Sequence, residues 1–408
     1  MMKKIIIFTI SPINKDFLKR YGYEFFQRNN IEVMFFNVCN LIYGIKKTQR
    51  LGYDNLGKIN DVNELEVLSY NQLYFLLKSY REGSIIYFNI SESFRLLFIL
   101  FLVKLPYIDG SLWGGIQTKD WDKKNILLSL YTKICSVLKS PRKKIQGKIS
   151  FYSLAILRYY YPPQLTLTSN PNELISYKTN NIDKRILLNH TFDYDRFLIN
   201  KDMNKPSYIP DYDYHVLLPN HAWMIHDYII NDADVDCVIT KERYEKLINK
   251  TLDDIELSTG IKIIVAGYPV ASKNEDIYRG REFLLGTETE QLVKYSSGVI
   301  THFSGAINFA VIHSKPICII NYKIFDDDPR FFQPINAYSK SLNIPINYVD
   351  SNDQVNSLVS NGLFSLNKDS YQDYLNKFIC PEEILSEKPQ LFWERVLQKG
   401  RCYFYVDE

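Results

Sequence analysis

The segment Thr301-His302-Phe303-Ser304-Gly305-Ala306 puts a histidine, a hydroxyl and two small residues between an apolar run and a helix-like stretch. A turn of this kind offers backbone N–H groups to an anion with little side-chain bulk in the way. His302 adds a charge-assisted contact if it faces that anion, and is an ordinary strand-end histidine if it does not. A second small-residue end, Ala266-Gly267-Tyr268-Pro269, follows the apolar run Lys262–Ala266. Either turn alone is compatible with a tight, ligand-free corner. Two in one sheet point to a nucleotide or sugar-phosphate held beyond the carboxyl ends of the strands. Arg281, past Pro269, is a candidate contact for an acidic sugar or a phosphate, with a surface ion pair as the alternative.

Three carboxylates could accept a proton. Asp193 and Asp195 stand two apart in what reads as a Tyr-containing loop, where Asx-turn capping is the competing role. Asp109 sits in Tyr107-Ile108-Asp109-Gly110, where Asp-Gly is also a common turn. Past the run Tyr214–Leu218, the stretch Asn220-His221-Ala222-Trp223-Met224-Ile225-His226-Asp227 holds two of the six histidines and one of the four tryptophans. An aromatic ring among neutral imidazoles suits stacking on a sugar and contacts to its hydroxyls. The histidine spacing is not that of a zinc-binding helix, and no metal is expected. The nearest approach to D-x-D, Asp211-Tyr212-Asp213, follows a proline loop.

The elements that must carry these residues alternate. Lys4–Ile10 reads as a strand, Lys15–Asn29 as one amphipathic helix, Ile31–Asn37 as a strand, a region near Asn63–Tyr80 as a helix, Ser84–Asn89 as a strand and Ser93–Leu105 as a helix. Thr166–Asp183, rich in Pro, Asn, Ser and Thr, reads as the crossover between two domains. The second domain then runs through Arg185–Asn189, Tyr214–Leu218, the helix Lys241–Ser258, and the strands Lys262–Ala266, Gly298–Thr301 and Pro316–Asn321, with helices Glu288–Tyr295 and Ala306–His313 between them. This rhythm predicts α/β architecture with parallel sheets. The expected division is residues 1–165, residues 184–370, and a helical segment 371–408 packing back on the cleft.

Composition narrows the class. A chain of 408 residues with 46% hydrophobic and 23% charged residues fits a soluble protein with two cores, and a net charge of +3 gives no footprint for nucleic acid. Six cysteines without C-x-x-C spacing argue against a zinc site or a disulfide framework and fit a reducing cytoplasm. The start, MMKKIIIFTIS, lacks a small-residue cleavage site and reads as a first strand. Phe94–Val103 is about half the length that spans a bilayer. Lys133–Lys148 carries six cations and no acid, which fits either a solvated helix end or attachment to an anionic membrane surface.

Several short patterns recur in order with a known group. HTFDYDRFL (His190–Leu198), ITKERYEKLINKTLDDIE (Ile239–Glu256), AGYP (Ala266–Pro269), YRGR (Tyr278–Arg281), TEQLV (Thr289–Val293) and THFSGAINFAVIHSKPI (Thr301–Ile317) resemble the motifs of bacterial polysaccharide glycosyltransferases related to the retaining β-Kdo transferases of O-antigen and capsule synthesis. The resemblance covers roughly residues 185 to 325. It implies a GT-B fold, two Rossmann-like domains with an interdomain cleft, and transfer of an acidic 2-keto sugar (Kdo or another nonulosonic acid) from a CMP donor to a lipid-linked oligosaccharide. It also implies work in the cytoplasm, peripheral to the inner membrane, with the nucleotide sugar as donor and no separate cofactor. Donor binding then falls to Gly267, Tyr268, Pro269, Arg281, Thr289, His302, Ser304, Gly305 and Ala306, and the sugar pocket to Asn220, His221 and His226. Asp109-Gly110 is similar to the acid-Gly motif in which several GT-B sialyltransferases place their general base.

Two departures bear on mechanism. Where the resembled enzymes carry a nucleophilic Asp after F-L, this chain has Leu217-Leu218-Pro219-Asn220, and an amide cannot form a glycosyl ester. Where they carry His in A-x-H-P, it has Tyr268, which can donate one hydrogen bond but cannot become cationic near neutral pH. A carboxylate must then act as base or relocated nucleophile, with Asp193 and Asp195 ranked above Asp109. A UDP-, GDP- or dTDP-sugar transferase and a non-catalytic homologue supporting polysaccharide assembly are the other readings, with a GT-B-fold nucleotide-sugar epimerase a distant third.

Overall fold

The computed structural model describes residues 3–11, 13–50, 59, 62–88, 93–110, 153, 156–170, 186–220, 239–267, 277–284 and 288–400. Lys133–Lys148, His221, Trp223, His226, Tyr268 and Pro269 lie outside them.

Two all-parallel sheets form the frame. The first has strands β1 (Lys4–Thr9), β2 (Glu32–Asn37), β3 (Glu64–Glu66), β4 (Ser84–Phe88), β5 (Tyr107–Gly110), β6 (Leu165–Thr168) and β7 (Ile186–Leu188), in the order β3-β2-β1-β4-β5-β6-β7. The second has β8 (Tyr214–Leu218), β9 (Lys262–Ala266), β10 (Phe283–Leu284), β11 (Gly298–Thr301), β12 (Ile317–Asn321) and β13 (Ile346–Tyr348), in the order β10-β9-β8-β11-β12-β13. Central strands such as KIIIFT and ICIIN are apolar without alternation because helices cover both faces, as parallel sheets require. Alternate residues serve different layers. Ile5 and Ile7 join one core of the first domain, and Ile6 and Phe8 join the other, beneath helices Tyr70–Ser79 and Phe94–Val103.

Four local expectations are corrected. The single helix read over Lys15–Asn29 is two, Lys15–Arg20 and Tyr23–Arg28, because Gly22 turns left-handed at φ 65°. The cause is packing: a Cβ on Gly22 would stand 2.3 Å from Cδ1 of Trp393. The region near Asn63–Tyr80 is strand β3 followed by a helix capped at Ser69, whose hydroxyl accepts from the Gln72 N–H. The presumed crossover begins with β6, which pairs with β5, and β7 pairs with β6. The strand assigned to the second domain at Arg185–Asn189 therefore closes the first sheet. Polar composition concealed β6 because Leu165 and Leu167 alternate with threonines.

The chain crosses between sheets twice. Asn189-His190-Thr191 leads out of β7 into helix Phe192–Asn200, and after Lys368–Tyr374 and Glu382–Leu385 the final helix Phe392–Lys399 returns. Phe392, Trp393 and Val396 are buried in the first domain's core, with Trp393 packed on Phe26 (ring centroids 4.9 Å) and Tyr87 (5.1 Å).

Because Gly22 and Trp393 share one notch, their substitutions should be coupled. Gly22→Ala is expected to cost about 2–4 kcal/mol from the left-handed backbone and the clash. Trp393→Ala should cost about 3–5 kcal/mol. The double variant should lose about 1–3 kcal/mol less than the sum, since removing the indole relieves the clash. Urea unfolding of the four proteins measures this, and strict additivity would disprove the packing account.

Candidate functional site

The second sheet reverses its strand order between β8 and β11: the chain moves outward through β9 and β10, then returns to the other side of β8. Such a switch point leaves a crevice at the carboxyl ends of the two strands, the usual seat of ligands in open α/β sheets. Leu218 is in register with Thr301, and the Thr301 hydroxyl donates to the Leu218 carbonyl at 3.1 Å. Two residues on, Asn220 Nδ2 donates to the Phe303 carbonyl at 3.2 Å. An ionised Asp has no hydrogen to give that carbonyl and would repel it. The amide at position 220 thus fits its place as a tie between strand ends.

The turn that follows is more self-contained than its composition predicts. Ser304 Oγ accepts from the Ala306 N–H at 3.3 Å, Ile307 N–H donates to the Ser304 carbonyl at 3.1 Å, and Asn308 N–H to that of Gly305 at 3.3 Å. These bonds use amides expected to be open to an anion. The Ser304 hydroxyl keeps its own hydrogen to donate. Among the described residues no atom lies within 4 Å of where a Cβ on Gly305 would stand. Gly267 ends the adjacent β9, giving its N–H to the Leu284 carbonyl at 2.5 Å, and a Cβ there would meet the Phe283 ring at 2.4 Å.

His302 does not face the crevice. It is buried, its Nδ1–H donates to the Ile320 carbonyl at 2.8 Å, and the rings of Tyr244, Tyr322 and Phe325 surround it at 5.9, 5.5 and 5.6 Å. Burial pushes its pKa down to about 4, against the smaller upward pull of that hydrogen bond, so the ring is neutral near pH 7. The expected charge-assisted phosphate contact is corrected to a core histidine. Arg281 is corrected as well. Its five N–H donors go to Glu256, Asp253, Asn249 and the Tyr278 carbonyl, binding β10 and its approach to helix Lys241–Thr259 and leaving none for a phosphate. Thr289 is buried as the first residue of helix Thr289–Tyr295.

Asp193 and Asp195 lie in the first turn of helix Phe192–Asn200, not in a loop. Asp193 Oδ2 accepts from Asn308 Nδ2 at 2.8 Å, and Asn308 Oδ1 accepts from the Tyr374 hydroxyl at 3.0 Å. Asp195 Oδ1 accepts from the Phe392 N–H at 2.7 Å, capping the returning helix. Burial raises this carboxyl to about 7, against the opposing pull of that N–H. Beside it, His190 sits between the carbonyls of Thr191 (Nδ1, 3.0 Å) and Gln390 (Nε2, 3.1 Å), its pKa lowered by burial. Asp109 ends β5 in the first sheet, pairs with Arg158 at 2.9 Å, and has its pKa raised by burial against that guanidinium.

One buried cluster lies partly inside the quoted motifs TEQLV and THFSGAINFAVIHSKPI, although its residues are not among the expected site residues. Glu290 accepts from His313 Nε2 at 2.5 Å and from Asn200 and Gln291 at 2.7 Å each. Burial alone would raise its pKa, but these bonds and the His313 charge together hold it below the usual range. The cluster joins helices Phe192–Asn200, Thr289–Tyr295 and Ile307–Ile312, and nothing in the separate motifs says that Glu290 and His313 meet. Among the described residues no group of His, Cys, Asp and Glu could hold a metal ion, and no helix is long and apolar enough to cross a membrane.

Solved structures share this architecture. The wall teichoic acid polymerase TagF (H548A) aligns over 99% of this chain and 89% of its own, with a TM-score of 0.51 and 13% identity. A UDP-N-acetylglucosamine 2-epimerase aligns over 100% and 97%, with a TM-score of 0.51 and 11% identity. The fold is GT-B. No family model and no curated protein sequence matches the chain.

The buried Asp195 has a pH signature. Between about pH 4 and pH 7 it is protonated in the fold and ionised in the unfolded chain, so folded protein binds the extra proton and stability falls as pH rises through that window. Asp195→Asn keeps an oxygen for the Phe392 N–H and cannot ionise. It should gain on the wild type, by a few kcal/mol at most, as pH rises from about 4 to 7 and hold that gain above. Urea unfolding across this range tests it, and a difference that stays flat with pH would refute the assignment.

Proposed function

We propose that this chain is a glycosyltransferase of surface-polysaccharide synthesis, moving a sugar from a nucleotide donor to a lipid-linked glycan in the cytoplasm, against the inner membrane. The reading rests on one observation: the crevice at the β8–β11 switch point is edged by Asn220 and by the Ser304-Gly305-Ala306 turn, with no described residue crowding Gly305. A phosphate leaving group needs polar donors and close backbone approach, which Ser304 Oγ and Gly305 can supply. A UDP-sugar is the donor class we favour, because a protein of this fold is by its name a UDP-N-acetylglucosamine 2-epimerase. A CMP-linked acidic 2-keto sugar is the second reading, favoured by the ordered motifs between His190 and Ile317.

Acceptor deprotonation falls to Asp109. Asp193 and Asp195 serve Asn308 and Phe392 and Asp109 is paired with Arg158, so each candidate has a partner. We choose Asp109 because it alone stands at the carboxyl end of a strand, where ligands of open α/β sheets sit, with a proton affinity raised by burial. This reverses the ranking drawn from the motifs. Asn220 is not a nucleophile, so a single displacement with inversion is the expected course.

Thermal shift with UDP, CMP, GDP and dTDP separates the readings, since a nucleotide at about 100 times its Kd stabilises by about 2.7 kcal/mol. A shift with UDP supports the main reading, and a shift with CMP alone moves the assignment to the second. No shift with any of them leaves a non-catalytic homologue. Gly305→Val, whose Cβ meets none of the described residues, should abolish the shift. Asp109→Asn should keep the shift and lose about 10²–10⁴-fold in turnover, and full turnover in that variant would eliminate Asp109 as the base.

A further inference from the structure

The helices over one face of the first sheet turn large apolar side chains outward. Helix Phe94–Val103 buries Leu96, Leu97, Ile99, Leu100 and Val103 but exposes Phe98, Phe101 and Leu102. The helix at 156–160 buries Leu157 in the same core layer and leaves Ile156, Tyr159 and Tyr160 at 59, 76 and 71% exposure. The two are neighbours: the Phe101 ring meets Tyr161 edge-on at 5.8 Å. Phe75, on helix Tyr70–Ser79 packed beside Phe94–Val103, is 67% exposed. Single exposed apolar side chains are ordinary, but a group spread over three adjacent helices marks an interaction surface.

Charge selects the partner. Tyr70–Ser79, Phe94–Val103 and 156–160 contain Lys78, Arg95 and Arg158 and no acid. Arg158 is committed to Asp109, but Lys78 and Arg95 are exposed, as are Arg81 and Lys104 just beyond the helices. Arg95 lies over the Tyr70 ring at 5.6 Å, and Arg81 is close enough to Tyr161 to oppose the larger effect of burial on its phenol. Glu82, in the turn before β4, is an acid at the rim. A second copy meeting this face through a two-fold axis would set cations against cations. An anionic bilayer surface is complementary to all of this face but Glu82: Phe and Leu enter the headgroup–acyl boundary, Tyr sits at the interface, and Lys and Arg meet phosphates.

We propose that this aromatic, cation-rimmed face of the first domain, centred on Phe98, Phe101, Tyr159 and Tyr160, seats the protein on an anionic lipid surface. The inference rests on the reading above for its purpose, a lipid-linked acceptor, but its test uses neither nucleotide nor sugar, so the two can fail separately. The full chain is floated with vesicles of phosphatidylcholine, with or without phosphatidylglycerol. It should bind the anionic vesicles, and added salt should weaken that binding. The variant Phe98→Ser/Phe101→Ser/Tyr159→Ser/Tyr160→Ser should lose about tenfold or more in partitioning with its melting temperature kept, because all four side chains are exposed. Leu257→Ser, an exposed position on the second domain, should change nothing. No flotation, flotation undiminished in the quadruple variant, or loss only on Arg142→Gln/Lys143→Gln/Lys144→Gln would overturn the assignment. So would a dimer in light scattering that the quadruple variant dissolves without any vesicle binding.

Discussion

Everything in this molecule hangs on the return of the last helix to the first domain. Trp393 fills the notch that Gly22 leaves open, Phe392 gives its N–H to Asp195, and Arg395 reaches the Leu188 carbonyl. Gln390 and Ile379 hold His190 and Thr191 through their carbonyls. The two crossings between sheets are therefore one bundle of hydrogen bonds around residues 188–195, anchored by an indole in a core it does not belong to by sequence. Through Asp193 and Asn308 this bundle also reaches the helix that follows the Ser304-Gly305-Ala306 turn.

That arrangement explains why the conspicuous residues are not all chemical ones. H-x-x-D-Y-D reads as a catalytic loop, yet its histidine and second aspartate bind the returning helix, and its first aspartate binds Asn308. Arg281 and His302 look like phosphate contacts and are consumed by the framework. What stays open is modest in composition: a serine, a glycine and an asparagine at a topological reversal.

Most of the frame was legible in the sequence, because buried parallel strands are short apolar runs, and β1, β8, β9, β11 and β12 all have that form. The failures have physical causes. β6 is half threonine, and β7 gives no local sign of which sheet it will join. Gly22 breaks a helix for the sake of a side chain near the other end of the chain. The fate of His302 depended on which face of the strand end it took, and a single residue of register separates crevice from core.

The position of Trp393 also bears on how the protein is made. It lies roughly 370 residues after Gly22, so at about 5–20 residues per second a ribosome needs on the order of 20–75 s to deliver the indole to its notch. For the part of that interval that follows β7 at Ile186–Leu188, the first sheet lacks the indole that packs on Phe26 and Tyr87 while the second domain is synthesised. The usual sequence, one domain complete before the next emerges, is closed to this chain. Its first domain is begun before the second and receives Trp393 only after the second has been made, so the nascent protein depends on whatever shields that apolar surface until helix Phe392–Lys399 emerges.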